Sequence, residues 1–234
     1  MARRAKARRG GGKAETGTAG TRARAGRRPR PRAAKPYDLG VTGGDSVEEA
    51  AVAAALALAE RQPWTRVALG DIAEEAGLPL AVLMQVFPSK TAILAAFQRG
   101  IDRAVLGAGE VGEGSPRDRL FELLMRRLEA LAPHRKALAS IAAAAPHDPV
   151  GVLCGWGRLL HSMSTTLALA GLSADGLRGL IRVKGLAGIY GSVLPVFLRD
   201  ESDDLTRTMA ALDGRLQRIE SVMNWIRGRI KPET

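Results

Sequence analysis

Apolar positions in this chain fall at helical spacing almost from end to end. Leu205, Met209, Leu212, Leu216, Ile219, Met223, Ile226 and Ile230 recur at steps of four and three. Such a heptad seam predicts a helix packed lengthwise against a neighbour at a shallow angle. Upstream, Leu180, Ile181, Leu186, Ile189, Leu194 and Phe197 mark a second long helix opened by Ser173, with Gly185, Gly188 and Gly191 allowing close backbone approach. Pro133, Pro146 and Pro149 bracket a short Ala-rich helix and launch a longer one over 149–171. Ser115-Pro116 starts another, a capping Ser followed by Pro at the first helical position, with Leu120, Leu123, Leu124, Leu128 and Leu131 on one face.

The first hundred residues carry shorter periods. Ser46 and Glu49 fit a capping box opening a helix to Arg61, with Val47, Ala51, Ala54 and Leu58 turned inward. Asp71–Ala76 reads as a short helix closed by Gly77, a residue suited to the left-handed turn at a helix C-terminus. Leu80–Phe87 is a second, stopped by Pro88. Ser89 caps a third, which carries Ile93, Phe97, Ile101, Val105 and Leu106. The expectation is all-α, about nine helices, with no strand and no internal repeat. It divides into a basic arm over 1–44, a head over 45–107 and a helical body over 115–230.

Charge changes this picture at one end only. Residues 1–36 hold 13 Lys or Arg against the single acid Glu15, leaving 22 bases and 23 acids in the rest of the chain. The arm is rich in Arg, Gly, Ala and Pro, too polar to build a core, and suited to binding nucleic acid through phosphate neutralisation. Arg27, Arg28, Arg30 and Arg32 are its candidate contacts. The alternative reading is a solubilising tail. One cysteine, Cys154, excludes an internal disulfide framework and suits a reducing cytoplasm. No run of consecutive apolar residues reaches the length of a membrane span, and no apolar stretch follows the basic N-terminus to make a secretory signal.

Catalytic constellations are missing. His134, His147 and His161 lack metal-ligand spacing, and no nucleophile elbow or phosphate-cradling loop is present. The expectation is a protein that is no enzyme, with no metal and no cofactor.

The order Asp71-Ile72-Ala73, Ala76-Gly77 and Phe87-Pro88-Ser89-Lys90 resembles the helix-turn-helix domain of TetR-type transcriptional regulators. The resemblance implies a helix-turn-helix head of three or four helices on a ligand-binding and dimerisation body. The implied function is a cytoplasmic, homodimeric regulator, a repressor, that binds double-stranded DNA and responds to a small apolar effector. Arg66, Gln85 and Lys90 are the implied DNA contacts. Trp156, His161, Met163, Arg182 and Tyr190 lie where the family forms its effector pocket. Leu186, Ile189, Leu212, Leu216, Ile219 and Met223 fall on the two helices that build its dimer bundle. An intramolecular core is the other reading of that seam. Where the family places a Ser or Thr cap and a recognition Thr and Tyr, this chain has Ala68, Val82 and Met84. Leu80–Met84 therefore offers no side-chain donor, and 45–92 carries three bases against seven acids.

A second resemblance points elsewhere. Asp200–Asp204, Thr208 and Leu212–Leu216, preceded by Gly188-Ile189-Tyr190, are similar to the C-terminal region of the TetR-fold accessory proteins of coenzyme Q biosynthesis. It implies the alternative function, an isoprenoid-binding accessory protein of ubiquinone biosynthesis with a vestigial helix-turn-helix.

Overall fold

In the computed structural model, residues 43–230 are described, with side chains from 47 to 218. Every regular element among them is helical. The order is α1 (Gly43–Arg61), α2 (Leu69–Glu75), α3 (Leu80–Val86), α4 (Lys90–Gly107), α5 (Pro116–Leu131), α6 (Arg135–Ala144), α7 (Pro149–Leu169), α8 (Gly176–Leu198) and α9 (Thr206–Ile230). Single 3-10 turns at Trp64–Arg66, Ala132–His134 and Ala145–His147 lie in the connections α1–α2, α5–α6 and α6–α7. The arm expected over 1–44, with Arg27, Arg28, Arg30 and Arg32, lies outside the described residues except for Gly43 and Gly44. Those two belong to α1, so the first helix begins inside the range given to the arm.

Local chemistry explains most boundaries. α2 ends in a Schellman turn: the Leu78 amide donates to Ala73 O at 2.9 Å and the Gly77 amide to Glu74 O at 3.1 Å. Gly77 takes φ +68°, which a Cβ would disfavour. Ser89 Oγ accepts from the Ala92 amide at 3.2 Å to start α4. Ser115 and Asp118 exchange reciprocal bonds at 3.2 Å to start α5.

Three boundaries differ from the sequence reading. α1 begins before Ser46, so that residue lies inside the helix and is not its cap. α8 opens at Gly176, because Ser173 instead forms a turn whose hydroxyl accepts from the Asp175 amide. α9 opens at Thr206 and excludes Leu205, which sits at φ +55° with its side chain buried. The Asp200 carboxylate fixes that turn. It accepts from the Thr208 amide at 2.8 Å, Thr208 Oγ1 at 2.6 Å and the Ser202 amide at 3.2 Å, besides the Ser202 hydroxyl. Burial acts to raise the Asp200 pKa, but these bonds outweigh it and hold the carboxyl well below its ordinary range.

The core is continuous from the helix-turn-helix to the body. α1 packs on α2, α3, α4 and α6; α4 packs on α5 and α7; α8 lies between α7 and α9. Ser140 on α6 accepts from the Trp64 amide at 3.0 Å and donates to Gln62 O at 3.2 Å, tying the loop after α1 to the body. The expectation on membrane spans needs one correction. By length and composition α8 could cross a membrane, which a count of consecutive apolar residues passed over because Arg182 and Lys184 interrupt it. Its Val183, Leu186, Ala187, Val193 and Phe197 are buried against neighbouring helices, as in a core helix.

Candidate DNA-binding face and ligand cavity

The helix-turn-helix is α2, the Gly77 turn and α3. Ile72, Ala73 and Leu83 anchor it to the core. α3 presents Leu80, Ala81, Met84, Gln85 and Val86 outward. Gln85 is the one of these five with a hydrogen-bonding side chain, so the outer face of the helix is almost wholly apolar. Arg66 is also exposed. Ala68, in the cap position of α2, has no side-chain acceptor; Asp71 Oδ2 accepts from its amide at 2.8 Å, supplying half of a capping box.

Lys90 is placed differently from a free phosphate contact. Its ammonium donates to Trp64 O at 3.0 Å and Val67 O at 2.7 Å, and sits 4.8 Å from the centre of the Trp64 ring. Burial lowers its pKa, against the opposing charges of Asp148 and Asp71. Two of its three protons are therefore committed to the turn that carries Arg66, and Lys90 joins that turn to the first residue of α4.

Below the head lies a cavity of about 380 Å³, bounded by α4, α5, α6, α7 and α8. Its wall is mainly apolar, with Trp64, Phe97, Ile101, Leu131, Leu138, Ile141, Leu159 and Leu194. The charged groups on it are Arg127, Arg158 and Asp148. This is the size and lining of a small-molecule site. Trp156, at 43% exposure, and Val152, at 48%, mark where it meets solvent.

Of the five candidate pocket residues, the cavity brings together Trp156 and Tyr190. His161 lines a separate depression with Arg99, Asp102, Arg103 and Ser162. Met163 is fully buried in the core. Arg182 points to the surface, donating to Ser173 O at 3.1 Å. All three are on the same long helices, but their positions around the helix axis turn them away from the cavity.

The interface candidates divide similarly. Leu186, Ile189, Leu212 and Leu216 are at most 8% exposed in the single chain. They pack into the core of the single chain. The side chains of Ile219 and Met223 lie outside the described residues. The exposed stripe of α8 is instead Leu177, Ile181, Gly185 and Gly188, and Met209 is 40% exposed on α9.

Sequence reading missed Arg127. It is 5% exposed, and its guanidinium donates to Asp102 on α4 and to Ser162 Oγ at 2.7 Å. Ser162 Oγ in turn donates to Asp102 Oδ1 at 2.6 Å. Tyr190 lies alongside, its ring centre 5.7 Å from the Arg127 guanidinium carbon. Burial raises the Tyr190 pKa, with Arg127 acting in opposition. A signal was available: Arg127 lies four residues from both Leu123 and Leu131, inside the apolar register of α5.

Residues 51–97 match the family model for bacterial regulatory proteins of the tetR family. No curated protein matches the chain. Among solved structures, a TetR transcriptional regulator from Nitrosomonas europaea ATCC 19718 is similar, with a TM-score of 0.62 and 24% identity over 74% of this chain and 98% of that one. A TetR transcriptional regulator from Rhodococcus sp. RHA1 matches at a TM-score of 0.55 and 20% identity, over 74% and 96%. The head is thus a TetR-type helix-turn-helix, and the described residues have the TetR-like fold.

Proposed function

We propose that this chain, with its TetR-type head, is a cytoplasmic, homodimeric transcriptional repressor whose hold on DNA is set by a small, largely apolar ligand. One observation carries the reading. α4 belongs to both halves: its first residue, Lys90, clamps the turn beside the helix-turn-helix, while Leu94, Phe97 and Ile101 form cavity wall. A ligand that binds two positions of α4 unequally therefore shifts the population of head arrangements. Because Leu80–Met84 has no donor, base discrimination rests on Gln85, backbone contacts and DNA shape. The exposed stripe of α8 and Met209 of α9 are the surface assigned to the dimer. In this reading the division is arm, head over 45–107 and body over 115–230.

The coenzyme Q alternative has less behind it. Asp200, Ser202 and Thr208, part of its motif, are accounted for by the turn into α9.

Hydroxyl-radical footprinting of full-length protein on the duplex upstream of its own gene tests the proposal. Two protected patches are expected, about one helical turn (~10 bp) or a multiple apart, related by two-fold symmetry. Uniform cleavage along the duplex would overturn it.

A further inference from the structure

We propose that the cavity is an anion-selective site: its ligand is an apolar molecule with one carboxylate, and that carboxylate takes Arg127 from Asp102. This rests on the reading of the cavity as the effector site and adds the ligand's chemical class.

Arg127 lines the cavity and is largely withdrawn from solvent, its side chain being 6% exposed. Its Nε is buried with no hydrogen-bond partner. A buried guanidinium with an unused donor is under-satisfied, and a carboxylate accepts bidentate bonds from that planar fork. Tyr190 stands beside it on the cavity wall, its phenol hydroxyl able to donate to the same carboxylate. The charge around the cavity agrees. Arg127 and Arg158 face one acid, Asp148, whose carboxylate already accepts from the Gly151 amide at 2.8 Å to cap α7.

The present counter-ion is built to be displaced. The Asp102 side chain is 33% exposed and opens into the depression lined by Arg99 and Arg103. Losing Arg127 leaves it hydrated and near other cations, whereas Arg127 without an anion would be a buried, unpaired charge. Exchange is therefore asymmetric, and it has a mechanical output. Asp102 is on α4 and Arg127 on α5, so the ligand's carboxylate dissolves a tie between the helix that reaches the head and the body beneath it.

The test uses full-length protein, titrated calorimetrically with decanoate and with 1-decanol, which share an alkyl chain but not the charge. Wild type is expected to bind decanoate at least about tenfold more tightly, the size of one charge-assisted hydrogen bond. Arg127→Met should abolish that preference, bringing the two affinities together. Asp102→Asn, which removes the competing anion and leaves the cavity wall intact, should tighten decanoate several-fold and leave decanol unmoved. That variant decides the matter if Arg127→Met does not fold. Equal affinity of wild type for the two probes, or an Asp102→Asn variant that binds decanoate no better, overturns the proposal and leaves ligand-regulated DNA binding standing. Binding of neither probe overturns the anion site and the effector cavity together. Since the ratio is read without DNA, a chain that prefers decanoate but binds no operator would keep the site and lose the regulator.

Discussion

Lys90 satisfies two backbone carbonyls at once, and Lys90→Met should lower stability by about 2 kcal/mol, since hydrogen bonds to charged groups contribute about that much. Calorimetric melting measures it; an unchanged Tm would mean that the ammonium is free for phosphate. Asp200 gives a pH-dependent counterpart. Its folded pKa is depressed, so its stabilisation is present above the ordinary carboxylate value of about 3.9 and is lost as pH falls from there toward the folded value. Asp200→Asn should melt lower than wild type at pH 7, and the gap should begin to narrow only as pH falls below about 4. A gap independent of pH would contradict the assignment. At this scale the sequence was legible where a bond is local, as at Ser89 and Ser115, whose partners lie three residues away. It was opaque where partners are remote. Nothing near Arg127 announces Asp102, 25 residues back, or Ser162, 35 ahead.

Among the elements, α8 and α9 separate periodicity from partnership. Of the heptad positions of α9 whose side chains are described, Leu212 and Leu216 are buried within one chain, whereas Met209 is 40% exposed. Spacing says which side of a helix is covered, not what covers it. Leu216→Glu should therefore cost the fold several kcal/mol through an uncompensated buried charge, whatever the oligomeric state. Gly188→Leu should act in the opposite way. A Cβ at Gly188 meets nothing within 4 Å in the chain, so the monomer should keep or slightly raise its Tm. A second copy packed on the exposed stripe of α8 would be pushed away, and light scattering should report monomer. A Gly188→Leu dimer of normal affinity would move the interface elsewhere. The short elements were legible for a different reason: Gly77 and Pro88 punctuate α2 and α3 at points where backbone geometry admits few alternatives.

For the whole molecule, two binding terms should separate. Residues 1–36 carry all of the excess positive charge, while 45–92 are net acidic. Deleting 1–36 should flatten log K against log salt by a slope of roughly 5, if about six phosphates are neutralised there, with little change in sequence preference. Equal slopes would reduce the arm to a solubility tail. The fold was legible as a class and largely in element order, because Ala- and Leu-rich periods and proline stops leave few choices. The cavity was legible only as a neighbourhood, since two of five nominated residues face it and rotation about a helix axis is decided by packing. What remains most direct is the affinity of full-length protein for the duplex upstream of its gene against a scrambled duplex, at physiological salt. A preference of at least ~10³-fold, relaxed by Gln85→Ala, is the result this account predicts. Equal affinity for the two duplexes would contradict it.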